Sequence, residues 1–226
     1  MTKEITIALA GNPNAGKTTV FNNLTGTHQH VGNWPGVTVE KKEGSYIYQG
    51  YKVKVVDLPG VYSLTAHSPD EVVARNFILK GKPDVVVDIV DASNLERNLY
   101  LTVQLIELEA NLVVALNMMD VAKSHGYEIG LDQLAQELGA PVVPMIATRR
   151  KGHNELLQVI VSVFEGNITP KKIKPYYGSE LEAHIAELEQ VISEDKELLH
   201  QFPLRWLAIK LLEEDSEILK EIGVKV

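Results

Sequence analysis

Apolar runs and amphipathic stretches alternate along most of the chain, from residue 4 to about residue 165. Short apolar runs predict buried strands, over residues 5–10, 53–57, 84–90, 112–116 and 142–146. Apolar residues at helical spacing predict helices between them, over residues 17–24, 96–108, 131–138 and 155–164. Residues 44–48 are expected to pair with 53–57 in a hairpin that turns at Gln49-Gly50 and adds one antiparallel edge strand. This alternation predicts an α/β fold, with a mostly parallel sheet covered by helices on both faces.

The pattern changes near residue 169 and becomes purely helical after residue 179. Prolines and lysines in residues 169–178 predict a solvated linker, although their basic character also suits a membrane surface. We therefore predict domains at 1–168 and 179–226, the second a small all-helical domain. Its first helix should bury an apolar face and begin with a capping box of Ser179 and Glu182. That face comprises Leu181, Ile185, Leu188, Val191 and Ile192, whereas the acidic residues 213–217 predict a solvated helix face.

The amino-acid composition excludes some classes of function and disfavours others. The chain has 226 residues, of which 45% are hydrophobic, so it can bury a substantial core. It has no cysteine, which excludes disulfides and thiol catalysis, and its formal net charge of −8 disfavours nucleic acid as a partner. No apolar stretch approaches the ~18 residues of a membrane span, and no N-terminal signal pattern is visible, so we expect these residues themselves to be soluble.

The first chemical motif is Gly11-Asn-Pro-Asn-Ala-Gly-Lys-Thr18, which follows the strand predicted at 5–10. A buried strand that leads into a glycine-rich loop and then a helix is the context of a phosphate-binding loop. Lys17 would reach the β- and γ-phosphate oxygens, and the Thr18 hydroxyl would bind Mg²⁺. The residues predicted to contact the phosphates are Gly11, Asn12, Pro13, Asn14, Ala15, Gly16, Lys17, Thr18 and Thr19.

Two further segments follow the phosphate loop, in the chain order in which nucleotide-dependent switch segments occur. Asp57-Leu-Pro-Gly60 ends a predicted strand, so Asp57 would hold a water on Mg²⁺ and the Gly60 N–H would contact the γ-phosphate; the alternative is an ordinary strand-end turn. Thr38 lies between Lys17 and Asp57 and would give Mg²⁺ a second hydroxyl ligand. Its glycine- and proline-containing segment suits a loop that orders and releases, or simply a turn.

The base-recognition motif is Asn117-Met-Met-Asp120, which follows the strand predicted at 112–116. The Asp120 carboxylate can accept from N1–H and the exocyclic amine of guanine, whereas adenine would leave it unpaired. Asn117 would tie the base loop to the phosphate loop, and Met118 would cover the base, with only moderate affinity because it lacks a charged tip. The alternative role of Asp120 is a helix N-cap, which is compatible with base binding. Ala147-Thr148 would place a backbone N–H under the base carbonyl, or form a plain loop.

Together these motifs resemble the cytosolic N-terminal GTPase region of the FeoB ferrous-iron transporters. The resemblance rests on residues 11–18, 31–42, 57–64, 95–102 and 117–120, and Gly32-Asn-Trp-Pro-Gly-Val-Thr38 is its most discriminating part. It implies a Ras-like P-loop GTPase domain that binds GTP or GDP with Mg²⁺, followed by a helical domain that favours GDP retention. It also implies a membrane region for Fe²⁺, which is absent here, so the chain would act at the cytoplasmic face of the membrane.

The resemblance also suggests how hydrolysis is assisted. In many GTPases a glutamine follows the glycine of the second switch segment, which here is Gly60. This chain has Val61 at that position, and a valine side chain cannot orient water. In the family, an asparagine at the position of Asn14 helps to bind K⁺, and the carbonyls of Gly32 and Trp34 would complete that site. The catalytic candidates are Lys17, Asn14, Thr38, Gly60 and Asn33, of which Asn33 is a candidate for holding water. We expect Trp34 to be mobile rather than buried, and His28 and His30 to be polar loop residues rather than metal ligands.

The sequence thus predicts a K⁺-stimulated GTPase that regulates iron transport. Its expected partners are the absent membrane region, a small accessory protein and a second copy of the chain, but not nucleic acid. Two alternatives remain at this point: a nucleotide-gated binding module with incidental hydrolysis, and a GTPase of ribosome assembly or tRNA modification.

Overall fold

The computed structural model describes residues 3–26 and 28–223. The start of the first predicted domain and the end of the second therefore lie outside the described residues. Its centre is a seven-stranded sheet in the order β2-β3-β4-β1-β5-β6-β7. The strands are β1 Lys3–Gly11, β2 Gln29–Asn33, β3 Glu40–Tyr48, β4 Tyr51–Asp57, β5 Val85–Asp91, β6 Leu112–Asn117 and β7 Val142–Pro144. From β4 to β7 all neighbours are parallel, and β4-β3-β2 is antiparallel. The predicted α/β class is confirmed.

The helices lie on both faces of this sheet and continue into a helical C-terminal part. They are α1 Lys17–Thr25, α2 Pro69–Gly81, α3 Leu95–Glu107, α4 Met119–Ser124, α5 Leu131–Leu138, α6 His153–Phe164, α7 Ser179–Ile192, α8 Lys196–Gln201, α9 Leu204–Leu212 and α10 Ser216–Glu221. Short 3₁₀ helices cover Ala92–Asn94 and Ala147–Arg149. Because the parallel strands are covered on both faces, β5 and β6 are buried almost throughout, as continuous apolar runs require.

The antiparallel side of the sheet differs from the prediction. The hairpin of β3 and β4 is present, with Tyr48 opposite Tyr51, but β3 is not the edge strand. The edge is β2, which pairs with β3 from Gln29 opposite Gly44 to Asn33 opposite Glu40. The sequence of β2, Gln-His-Val-Gly-Asn, has no apolar alternation from which a strand could be predicted, and all five residues are exposed in the structure.

Two apolar clusters cover the faces of the sheet. One includes Phe21 of α1 and Ile160 of α6, and the other lies against α2 and α3. The second cluster continues into the helical C-terminal part through Ile185, Trp206 and Ile218, each of which is no more than 2% exposed. The helical part is therefore packed onto the same core as the α2–α3 face of the sheet.

Several predictions for the C-terminal part are wrong in detail. Gly178, not Ser179, is the N-cap of α7, and the Glu182 carboxylate accepts instead from Arg205 at 2.8 Å. Val191 is 68% exposed although its spacing placed it on the apolar face. Asp215 is not solvated, because its carboxylate caps α10 and pairs with buried Arg75 of α2 at 2.6 Å. Helical periodicity identifies one face of a helix but not which long-range partner covers it.

The segment predicted as a linker contains neither helix nor strand between Phe164 and Ser179. It is nevertheless held against the first domain, since Lys171 N–H donates to the Gly139 carbonyl at 2.7 Å and the Tyr177 hydroxyl donates to Glu107. In the part of the chain that the structure describes, no helix is both long and apolar enough to cross a bilayer.

Candidate nucleotide-binding site

The phosphate loop connects the carboxyl end of β1 to the N-terminus of α1, where open α/β sheets bind ligands. It contains a turn in which Ala15 N–H donates to the Asn12 carbonyl at 3.2 Å. Gly16 adopts φ +93°, and a Cβ at this position would lie 2.3 Å from Asn117 Nδ2. Only glycine therefore fits where the loop meets the β6 end. The first N–H groups of α1, as in any helix, have no partner within the helix and can bind an anion.

Lys17 and Asp57 lie together in a cleft of about 250 Å³. The Lys17 ammonium donates to the Asp57 carboxylate, and both side chains are nearly buried. Burial raises the pKa of Asp57, and the charge of Lys17 opposes that rise. A nucleotide phosphate would compete with Asp57 for Lys17, which would leave the carboxylate for a cation.

The oxygen ligands present suit Mg²⁺ in part. Thr18 and Asp57 both line the cleft and offer a hydroxyl and a carboxylate, which are ligands of the hard type that Mg²⁺ prefers. Thr38, the third predicted ligand, is exposed in the loop after β2 and does not line the cleft. Residues 3–26 and 28–223 contain no group of three His, Cys, Asp or Glu that could hold a metal. The site thus fits a cation whose shell is completed by phosphate oxygens and water.

Asn117 joins the phosphate loop to the base loop. Its Nδ2 donates to the Ala15 carbonyl at 2.9 Å, and its Oδ1 accepts from Ala147 N–H at 2.9 Å. The side chain is 3% exposed, so both bonds are shielded from water. The Ala147 carbonyl in turn accepts from Asn23 of α1 at 2.8 Å. The structure therefore brings together the loops that were predicted to bind phosphate and base.

Asp120 does not cap α4, because the N-cap is Met118, in the left-handed region at φ 60°. Among the described residues, the Asp120 carboxylate accepts only from the adjacent Val121 N–H, at 3.1 Å, and it lies 3.8 Å from Arg149. It is therefore placed for an additional donor, such as a base edge. Thr148 is exposed in the 3₁₀ helix after β7.

Trp34 contradicts the prediction of a mobile side chain. It is 8% exposed and packs edge-to-face on Phe77 of α2, with ring centroids 5.3 Å apart. The Lys41 ammonium lies 4.8 Å from the ring centroid. The loop turns back over α2, so an aromatic residue within a Gly-Pro segment reaches the core through a long-range contact.

The carbonyls predicted for K⁺ face other backbone groups, that of Gly32 in the sheet and that of Trp34 in the turn after β2. Trp34 N–H donates to the Val39 carbonyl and Ser45 N–H donates to the His28 carbonyl, and these two bonds continue the register of β2 with β3 beyond its two ends. Because bonded pairs alternate, Gly32 also directs its backbone groups to β3. The Trp34 carbonyl accepts from Val37 N–H at 3.3 Å. Asn14 is exposed, at φ 68°, a conformation that asparagine tolerates in turns, and Asn33 is exposed at the end of β2.

A family model described as ferrous iron transport protein B matches residues 5–160, and a model described as the FeoB cytosolic helical domain matches residues 177–225. The chain belongs to the FeoB family.

Relatives of this FeoB chain include a curated protein from Porphyromonas gingivalis, a fusion of Fe(2+) transport protein A and Fe(2+) transporter FeoB. It is 42% identical over 221 residues, which cover 97% of the chain and 26% of the relative. The chain thus spans about a quarter of that relative's length.

Two solved structures of the cytosolic domain of the T. maritima FeoB iron transporter superpose closely. One GDP form, form II, has a TM-score of 0.92 at 40% identity, and the match covers 99% of this chain and 87% of that structure's chain. The GMPPNP form has a TM-score of 0.90 at 40% identity and covers 98% of this chain and 86% of its own. These matches confirm the FeoB resemblance and the Ras-like G-domain fold.

Sequence reasoning missed α2 and several contacts of the FeoB chain near the site. Ser68 and Glu71 form the capping box of α2, a pattern that is readable in the sequence. Arg97 and Gln104 of α3 contact the segment after Gly60, and no local pattern predicts that proximity. Residues 95–102 were informative only as part of the family resemblance.

Proposed function

We propose that this chain binds GTP and hydrolyses it to GDP and phosphate, as the nucleotide-switch domain of a longer protein that carries Fe²⁺ across a membrane. The main supporting observation is buried Asn117, which fixes a phosphate-loop carbonyl and a base-loop N–H with one side chain. GDP and GMPPNP forms of the T. maritima relative support the same choice of ligand.

In this proposal Asp120 selects guanine, and Ala147 and Thr148 lie beside the base. Lys17 leaves Asp57 to bind the β- and γ-phosphate oxygens. Thr18, Asp57 and Thr38 would hold Mg²⁺, which neutralises phosphate charge when bound. The Gly60 N–H contacts the γ-phosphate, and Asn33 or nearby backbone groups hold the attacking water. For Thr38 to reach the cleft, the loop after β2 must move from its exposed position.

Stimulation by K⁺ is the finer part of the proposal. Val61 cannot orient water, so additional positive charge beside the phosphates would speed phosphoryl transfer. Asn14 would hold K⁺ together with the carbonyls of Gly32 and Trp34. The Trp34 carbonyl accepts from Val37 N–H within the turn, and alternation of bonded pairs directs the Gly32 carbonyl to β3, so the loop at this end of β2 would have to rearrange to bring both oxygens to one ion.

We further propose that the chain acts at the cytoplasmic face of the membrane and that the helical domain slows GDP release. The membrane-spanning part of the longer protein is the expected partner. A small accessory protein is a second partner, an idea supported by the fusion found in P. gingivalis. Self-association is a further proposal. The FeoB family assignment disfavours a role in ribosome assembly or tRNA modification.

The test combines calorimetry of nucleotide binding with single-turnover GTP hydrolysis in K⁺ and in Na⁺ at equal ionic strength. We expect GTP and GDP to bind with Mg²⁺ and ATP not to bind, because Asp120 has no matching donors on adenine. Hydrolysis should be faster in K⁺, and Asn14→Ala should abolish the difference. No heat on adding nucleotide would end the proposal, whereas equal rates in the two salts would remove only the K⁺ part. Binding without turnover would favour the nucleotide-gated module.

A further inference from the structure

Position 61, directly after Gly60, has no side chain that can orient water, yet the backbone that follows Gly60 is held at specific points. Val61 N–H donates to the Gly11 carbonyl of the phosphate loop at 3.3 Å. Leu64 N–H donates to Gln104 Oε1 of α3 at 2.6 Å, and this bond is buried. Leu64 is 2% exposed and Gln104 is 6% exposed, so water does not readily replace either partner.

A second contact with α3 is made by its third residue, Arg97. The Arg97 guanidinium stacks over the Tyr62 ring, 4.1 Å from the centroid. The Arg97 carbonyl accepts from Asn12 Nδ2 of the phosphate loop at 3.4 Å. One helix thus contacts both the phosphate loop and residues 62–64.

Helix α3 is itself fixed on the sheet. Thr102 Oγ1 donates to the buried Asp88 carboxylate of β5 at 2.6 Å. The buried Asn98 side chain accepts from Asp91 N–H at 3.2 Å and donates to the Asn94 carbonyl at 2.9 Å. These bonds connect α3 to the strand beside the phosphate loop, so the positions of Arg97 and Gln104 are set by the sheet rather than by a flexible loop.

We propose that Gln104, assisted by Arg97, is a positioning residue for hydrolysis, which holds residues 62–64 so that the Gly60 N–H and the backbone around Val61 face the γ-phosphate. This inference rests on the proposed GTPase function. Because the side chain at position 61 contributes no hydrogen bond, the position of the backbone determines how well the segment serves the reaction. Nucleotide affinity is set elsewhere, by Lys17, Asn117 and Asp120, so the hydrolysis rate and the affinity should separate.

The decisive variants are Gln104→Met, which retains the length of the side chain but removes the acceptor, and Gln104→Glu, which retains an acceptor oxygen. Loss of a buried hydrogen-bond partner should accelerate amide exchange at Leu64 and slow single-turnover hydrolysis, each by about tenfold, with the GDP dissociation constant unchanged within about twofold. Gln104→Glu should recover most of both losses. Gln190→Met on the exposed face of α7 is the matched control.

Arg97→Ala provides a second measurement, since Arg97 is exposed and its removal should not prevent folding. We expect a loss of hydrolysis of about threefold, in line with an exposed cation–π contact. Unchanged Leu64 exchange in Gln104→Met, or a parallel fall in affinity and rate, would overturn the positioning role. If wild-type protein hydrolyses GTP and Gln104→Met matches its rate, only this inference fails. If wild-type protein binds GTP without hydrolysing it, both proposals fail.

Discussion

The two halves of the proposed nucleotide site are constructed differently. On one side, the phosphate loop, the β6 end and the β7 end are joined through buried Asn117, and Gly16 fits against it without room for a Cβ. On the other side, β2 is exposed at every residue and Thr38 lies outside the cleft. Trp34 anchors this second half to α2 rather than to the phosphate loop.

This difference indicates that the two halves have different roles. We call the side joined by Asn117 the binding half and the side of β2 and Thr38 the switching half. A half held by buried hydrogen bonds retains its geometry without a ligand, and can therefore supply affinity. A half held by one edge-strand pairing and one aromatic contact can change partners at low cost, and can therefore report the nucleotide state. The following substitutions test that division, beginning with the largest effect.

Lys17→Ala should abolish binding of both GTP and GDP, by at least about 100-fold, because it removes the charge-assisted contacts to the phosphates. It also leaves the buried Asp57 carboxylate without its cation. Calorimetry with each nucleotide would measure the loss. Lys52→Ala is the control, because the one ion pair of Lys52 within the described part of the chain is an exposed pair with Glu4. This variant should bind both nucleotides normally. Retained affinity in Lys17→Ala would contradict the location of the phosphate site.

Gly16→Ala and Gly36→Ala compare the two halves directly. Both glycines have positive φ, at +93° and +79°, but a Cβ on Gly16 would lie 2.3 Å from Asn117 Nδ2, whereas a Cβ on Gly36 meets nothing within 4 Å. Gly36→Ala should cost only the backbone strain, about 1–2 kcal/mol. Gly16→Ala should add displacement of Asn117 and weaken GDP binding about tenfold or more. Urea unfolding and GDP titration measure the two effects, and equal losses of GDP affinity would remove the contrast.

Asn117→Ala should weaken GDP and GTP binding by about 10–100-fold, because the Ala15 carbonyl and the Ala147 N–H each lose a buried partner. The loss should be similar for both nucleotides, since Asn117 holds the half that both use. Fluorescent GDP and GTP analogues would measure it. A loss confined to GTP would assign Asn117 to the switching half instead.

Thr38→Ala should have the smallest effect on GDP, within about twofold, because Thr38 is exposed outside the cleft. Hydrolysis of GTP should fall more, as expected if the loop closes to ligate Mg²⁺ with the triphosphate. Titrations with GDP and with a non-hydrolysable GTP analogue, beside turnover rates, would separate the two states. An equal weakening of GDP and GTP would show that Thr38 serves the binding half.

The sequence determined most of the binding half. The phosphate loop, Asp57-Leu-Pro-Gly60 and Asn117-Met-Met-Asp120 each follow a predicted strand, and parallel strands place their carboxyl ends at one edge of the sheet. The sequence therefore predicted that the three motifs share one edge of the sheet, although their order across the sheet, β4, β1 and β6, differs from their order along the chain. The fold class followed from the same alternation of strands and helices.

Only the tertiary structure decided the contacts that join segments far apart in the chain. Burial of Trp34 against Phe77, the ion pair of Arg75 with Asp215, and the bond from Leu64 to Gln104 each depend on how α2 and α3 lie on the sheet. The edge strand β2 likewise exists because of its register with β3, not because of its own pattern. Local periodicity records which residues avoid water, but a hydrogen bond or ring contact across 40 or more residues depends on a packing geometry that no short stretch of sequence contains.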